Sequence, residues 1–184
     1  GAGYIGSVCV KELLNNGYNV IVIDNLSKGI KKLVDKRAKF YQIDLTDDIS
    51  KVFRDKIDAV IHFAAYKAVE ESMENAVKYS DNITGTINVL NHMVKHKVKK
   101  IIFSSSAAVY GDPSYVPMDE KHPTKPVNYY GYTKLKCEEI INWYSKIYGI
   151  SYVSLRYFNV VGDAIGYVDP APENVLPIIM EVVT

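Results

Sequence analysis

Two rhythms of apolar residues alternate along this chain. One has the helical period of about 3.6 residues, and the other consists of short, nearly unbroken apolar runs. Residues 4–16 place Ile5, Val8, Cys9 and Leu13 at helical spacing, with Gly17 as a C-terminal stop. YNVIVID (18–24) reads as a strand covered on both faces, and KFYQID (39–44) as a more polar second strand. TDDISKVFRDK (46–56) predicts a helix, with Thr46 as cap, acids in its first turn and Ile49, Val52 and Phe53 as its apolar face. DAVIHFAA (58–65) is a further buried strand, and residues from about 70 to 97 predict helix with a break near Asp81. KKIIFSSS (99–106) is a strand entering a serine-rich loop. A long helix over 129–148 ends at Gly149, the strand SYVSLRYFNV (151–160) follows, and 162–174 reads as loop.

Strands that alternate with helices call for right-handed crossovers and a parallel sheet covered on both faces. The expected fold is therefore α/β, a doubly wound parallel sheet of the dinucleotide-binding kind. Residues 1–160 form the nucleotide-binding domain in this reading, and 161–184 begin a smaller C-terminal substrate-binding region.

GAGYIG brings in the first chemistry. Gly1, Gly3 and Gly6 make a Gly-x-Gly-x-x-Gly fingerprint that opens a helix and is followed by a strand ending in Asp24. Such glycines let the backbone approach a pyrophosphate, while the N–H groups of the helix start, at Tyr4 and Ile5, face it with partial positive charge. Asp24 would accept hydrogen bonds from ribose hydroxyls and repel a 2′-phosphate, which favours NAD over NADP. The alternative for Asp24 is a simple strand-end turn residue. No strand precedes the fingerprint, so the chain reads as a piece of a longer protein whose first, central strand is missing. Asp44, Phe63, Ala64 and Ala65 end the next strands, on the same rim of the sheet.

The same rim carries SSSAAVYG (104–111) and YYGYTK (129–134). A tyrosine whose pKa is near 10 needs help to act as a base at neutral pH. A lysine ammonium four residues along a helix supplies it, and a serine hydroxyl can relay the proton. That set suits removal of a carbinol proton while a nicotinamide takes hydride. By spacing, Tyr130 with Lys134 and Tyr132 with Lys136 qualify equally.

Charge and composition narrow the class. A formal charge of +1 argues against nucleic acid as partner, and no apolar run is long enough to cross a membrane. Cys9 and Cys137 lack metal or redox spacing, which suggests reduced thiols and a cytoplasmic setting. His92 and His96 have zinc spacing, but Met93 stands where a glutamate would be needed and no third ligand suggests itself, so no metal is expected. His62 reads as a core or rim histidine.

Taken in order, GAGYIGS, DNLSKG, HFAAYKAVEES, FSSSAAVYG, YYGYTK and LRYFNVVG resemble the extended short-chain dehydrogenase/reductase family, and within it the nucleotide-sugar 4-epimerases. The resemblance implies that Ser106, Tyr130 and Lys134 are catalytic, with Ser106 and Tyr130 also meeting substrate. It implies that Asp24, Asn25, Asp44, Leu45, Phe63, Lys67, Asn82, Tyr130, Lys134 and Phe158 meet NAD. Asn159 and Asn174 would meet a UDP-sugar, and members pair as homodimers through helices 70–97 and 129–148. Three features depart from the pattern: Val8 in place of histidine, Ala108 in place of Thr or Ser, and the altered stretch 162–174. Dehydratases carry an Asp-Glu pair where this chain has alanines. A uronate epimerase, a decarboxylase or a non-catalytic dinucleotide-binding regulator stay open as alternatives.

Overall fold

The computed structural model describes residues 1–161, which divide into two compact units. Gly1–Ile43 groups with residues 159–161, and Asp44–Phe158 forms the other unit.

The first unit begins with helix α1 (Tyr4–Asn15). Its end is closed by Gly17, at φ 81°, with Tyr18 N–H donating to the Leu13 carbonyl at 3.0 Å and Gly17 N–H to Leu14 at 3.1 Å. These two hydrogen bonds satisfy carbonyls that the last helical turn leaves orphaned. Strands β1 (Ile21–Asp24) and β2 (Lys39–Gln42) pair in parallel, with Ile21 opposite Lys39 and Asp24 opposite Gln42. Ala2, Val10 and Val22 are its buried apolar side chains.

The second unit is a three-stranded parallel sheet in the order β3 (Val60–His62), β4 (Lys100–Ser106), β5 (Ser151–Tyr157). Helices α2 (Val69–Glu74), α3 (Ala76–Lys95) and α4 (Tyr129–Tyr148) accompany it. Tyr79, Leu90, Met93, Ile101, Phe103, Ile141 and Ile150 are fully buried and form its core. Parallel strands joined by helical crossovers give the doubly wound α/β class that the alternating rhythm predicts.

Three local expectations need correction. Residues 46–56 do not form an α-helix. The side chains of Asp44 and Asp48 accept the N–H groups of Thr46 and Ser50, both at 2.8 Å, and only a 3-10 turn forms over Val52–Arg54. Short acidic side chains compete with helix for backbone donors, although Ile49, Val52 and Phe53 are buried as the pattern requires. The helix 70–97 breaks at Asn75 rather than near Asp81. Asn75 leaves helical φ,ψ and its carboxamide oxygen caps α3 by accepting the Lys78 N–H at 3.1 Å. The final strand stops at Tyr157, where its partner β4 also ends at Ser106.

Candidate active site

The glycine turn of the first unit is shaped by close approach. A side chain at Gly1 would meet Val22 Cγ1 at 2.6 Å, and one at Gly6 would meet the Gly1 Cα at 2.9 Å. Gly3, by contrast, faces open space and caps α1 with no side-chain bond, and the first turn carries no acid. The start of α1, with no acidic side chain in its first turn, is a cradle of backbone donors suited to an anion. Asp24 braces this turn. One carboxylate oxygen accepts from the Gly1 nitrogen and the Ala2 N–H, both at 2.9 Å, and the other from Leu26 N–H at 2.9 Å. Asn25 stabilises the following turn through Ser27 N–H at 2.9 Å.

In the second unit, β4 delivers Ser106 to its carboxyl end and α4 delivers Tyr130 and Lys134 one helical turn apart. Asn128 caps α4 by accepting the Gly131 N–H at 2.7 Å. Gly131 then lets the helix start lie directly on the turn 107–109, because a Cβ there would meet the Ala108 carbonyl oxygen at 2.5 Å. That contact sets Tyr130 beside Ser106. Burial raises the Tyr130 phenol above its usual range, and the hydrogen bond with the Ser106 side chain works against that rise. The Tyr130 backbone is held on both sides. Its N–H donates to Ser72 Oγ at 3.1 Å, and its carbonyl accepts from Thr133 Oγ1 at 2.7 Å.

Lys134 is buried with its ammonium 2.7 Å from the Ser104 carbonyl, 5.0 Å from the Phe103 ring centroid and 5.9 Å from that of Tyr130. Burial drops its pKa to about 8, against the pull of Cys137 and Glu138. Burial also separates the two pairs that spacing leaves equal. Tyr132 is 42% exposed and Lys136 bridges to Glu139 at 2.7 Å, so this pair faces outward.

The loop after β3 holds Phe63, Ala64, Ala65 and Lys67, and Asn82 fastens it. Its carboxamide oxygen accepts Tyr66 N–H at 2.8 Å, while its amide donates to the Tyr66 carbonyl at 3.1 Å and to Thr133 at 3.2 Å. Asn82 therefore ties the loop to the helix that carries Tyr130 and Lys134. Asp44 makes the turn to Thr46, and Leu45 packs where Gly85 leaves room. Phe158 and Asn159 are exposed just past β5, and Asn174 lies outside the described residues. His62 is buried in the core, pushed down to about 3 by burial and then by the Lys134 charge, and sits 3.0 Å from Thr86 Oγ1. His92 lies 3.0 Å from the Asn88 carbonyl and packs on Phe53. Among the described residues, no three or more His, Cys, Asp or Glu side chains gather as a metal site. Sequence reasoning missed Ser72 and Thr133. Both lie inside motifs of the resemblance, Thr133 in YYGYTK and Ser72 at the end of HFAAYKAVEES, but Ser72 is 58 residues from the backbone it holds.

Comparison with known proteins places this geometry in a family. The sequence profile of the NAD dependent epimerase/dehydratase family matches residues 1–183. The chain is 49% identical to UDP-glucose 4-epimerase of Lacticaseibacillus casei, over 99% of this chain and 57% of that protein. It is 50% identical to the enzyme of the same name from Lactobacillus helveticus, over 95% of this chain and 55% of that one. A crystal structure of UDP-glucose 4-epimerase from Thermotoga maritima with UDP-glucose aligns with a TM-score of 0.91 at 36% identity, covering 98% of this chain and 60% of that one. The Thermus thermophilus enzyme in complex with NAD aligns with a TM-score of 0.87 at 35% identity, over 94% and 56%. The chain thus spans little more than half the length of these relatives. With its glycine turn, its parallel sheet and its match along the whole sequence, the chain belongs to the NAD-dependent epimerase/dehydratase family.

Proposed function

We propose that the protein carrying this chain is a UDP-glucose 4-epimerase that interconverts UDP-glucose and UDP-galactose through a 4-keto sugar, with bound NAD. The observation that carries the reading is the convergence of half-buried Ser106 with buried Tyr130 and Lys134 in a chain about half identical to enzymes of that name. The residues present fit the cofactor: the open Gly3 and the acid-free first turn of α1 offer backbone donors to a pyrophosphate, with Gly1, Tyr4, Ile5 and Gly6 around them. Asp24 and Asn25 would meet the adenine ribose. Asp44, Leu45, Phe63, Ala64, Ala65, Lys67, Asn82 and Phe158 would line the rest, and Asn159 and Asn174 would hold the UDP-sugar. When bound, NAD supplies the two-electron acceptor that is restored at the end of each turnover.

The chain's own groups manage the proton. Tyr130 takes it from the sugar C4 hydroxyl, with Ser106 orienting that hydroxyl and passing the proton along. A phenol raised by burial needs a cation to ionise, and Lys134, with its pKa near 8, is largely charged at neutral pH. After the 4-keto sugar rotates to present the opposite face of C4, Tyr130 returns the proton to the C4 oxygen. Net redox change is zero. Cys9 and Cys137 are free, which fits the reducing cytoplasm. The exposed Val77 and Trp143 on α3 and α4 favour a homodimer as the assembly, measurable by light scattering. The direct test is incubation of the full-length protein with UDP-galactose and chromatographic separation of the products. UDP-glucose should form without added reductant. No conversion by protein that retains nicotinamide would overturn the reading.

A further inference from the structure

Behind the reacting side chains lies an ionic clasp that the mechanism does not use. Glu138 follows Lys134 by one helical turn, so both project from the same face of α4. Its carboxylate accepts three hydrogen bonds. Ser105 Oγ and Arg156 Nε (3.0 Å) donate to one oxygen, and Arg156 Nη2 donates to the other at 2.7 Å. The Arg156 guanidinium also lies over the Tyr110 ring at 4.9 Å. The pair is largely enclosed, with side chains only 11% (Glu138) and 23% (Arg156) exposed.

Ser105 and Arg156 are register partners across β4 and β5, so Glu138 grips both members of one rung. Lys134 grips the preceding residue, through the Ser104 carbonyl. Two consecutive residues of β4 are therefore tied to α4 immediately before Ser106. Side chains alternate along a strand, so a hold on Ser105 fixes the direction in which Ser106 leaves it. A buried ion pair is weak evidence for stability, and its better use is to specify one arrangement.

We propose that Glu138 is the positioning residue of this site, clasping Ser105 and Arg156 so that the Ser106 hydroxyl meets Tyr130. The proposal rests on the reading of Ser106, Tyr130 and Lys134 as the reacting set. It is tested in the full-length protein with a double variant, Glu138→Leu with Arg156→Met, which removes both charges and leaves neither unpaired. It should melt cooperatively and keep its KM for UDP-galactose, while kcat falls about 100-fold, the cost of a displacement near 1 Å. Glu138→Gln keeps an oxygen that accepts from Ser105 and Arg156, and should return kcat to within about tenfold of the unaltered protein. Crystal structures should show the Ser106–Tyr130 hydrogen bond lost in the double variant and kept in Glu138→Gln. An unchanged kcat, or the bond kept in the double variant, overturns the proposal. If the double variant does not fold, Ser105→Ala removes only the clasped hydroxyl, and an unchanged Ser106–Tyr130 contact there overturns it equally. An unaltered protein that converts no UDP-sugar would refute the proposed activity instead, and the crystallographic contact would still decide the role of Glu138.

Discussion

Replacing Gly131 with alanine separates positioning from stability at this site. The added Cβ would stand 2.5 Å from the Ala108 carbonyl oxygen, 3.0 Å from its carbon and 3.1 Å from Pro126 Cβ, whereas ordinary contact begins at 3.4 Å. Relief requires the start of α4 to back away from the turn 107–109 by about 0.9 Å. Neither neighbour is the loose end of a flexible side chain, so the helix itself must move. Overpacking of this kind costs about 1–3 kcal/mol. Alanine returns about 1 kcal/mol of that through its better helix propensity. The net loss is at most about 2 kcal/mol, or a few degrees of Tm for a protein of this size. The movement, however, falls on Tyr130, the adjacent residue, and carries its hydroxyl away from Ser106. A misplacement near 1 Å costs about 100-fold in rate. Gly131→Ala in the full-length protein should thus melt close to the unaltered protein, as followed by circular dichroism. Its kcat for UDP-galactose, followed with a UDP-glucose dehydrogenase couple, should fall about 100-fold. A variant that keeps its kcat, or loses it only in proportion to folded protein, would refute the argument from close approach.

Tyr130→Phe should abolish most turnover while NAD stays bound, because only the proton-carrying hydroxyl is gone. Tyr132→Phe, on the exposed face, should be mild, and the reverse order of activities would assign the chemistry to Tyr132 and Lys136 instead. The unaltered protein should bind NAD far more tightly than NADP in calorimetry, since the Asp24 carboxylate repels a 2′-phosphate. Equal affinities would leave Asp24 as a brace of the glycine turn alone. Asn82→Ala frees the Tyr66 backbone from its two-point hold and should weaken NAD binding about tenfold, about 1.4 kcal/mol. Unchanged calorimetric affinity would show that this loop plays no part in holding the cofactor.

What could be read from the sequence was mostly local. The period of Ile5, Val8, Cys9 and Leu13, stopped by Gly17, located α1, and Gly149 located the end of α4. The stretch 46–56 misled because an amphipathic pattern reports burial, not backbone conformation. Ile49, Val52 and Phe53 do turn inward, yet Asp44 and Asp48 take the backbone donors that a helix would need. Of the serines 104–106, no local rule separates the three, and the choice of Ser106 came from resemblance. The structure supplies the physical distinction. Ser104 lends its carbonyl to Lys134, Ser105 turns to Glu138, and Ser106 alone meets Tyr130. The partners that hold the site in place were beyond reach, because Ser72 to Tyr130 and Glu138 to Arg156 are pairings that only the folded chain brings together.

Lys134 also exposes what the site costs the fold. Its folded pKa of about 8 lies below the 10.5 of a free lysine, chiefly through burial. The unfolded chain therefore binds its proton more tightly than the folded chain does. Below pH 8 both forms are protonated and the penalty of a buried ammonium is fully present. Between pH 8 and 10.5 the folded protein gives up the proton first, so this contribution to stability rises with pH. A fall from 10.5 to about 8 corresponds to about 3 kcal/mol of penalty at neutral pH. Lys134→Met keeps the length and removes the charge, but leaves the Ser104 carbonyl without its 2.7 Å partner, a loss of about 1–3 kcal/mol. The variant should therefore equal or exceed the unaltered protein in stability at pH 7, by up to about 2 kcal/mol, while losing its turnover. Its advantage should shrink as pH rises past 8, because neutralisation relieves the lysine and does nothing for methionine. Melts of both proteins at pH 7 and pH 10, with equal cofactor content, measure the difference directly. Other groups that titrate in that window, such as exposed tyrosines, are common to both and cancel. A Lys134→Met protein whose relative stability does not change between the two pH values would show that the ammonium is not penalised by burial and would refute this account of its cost.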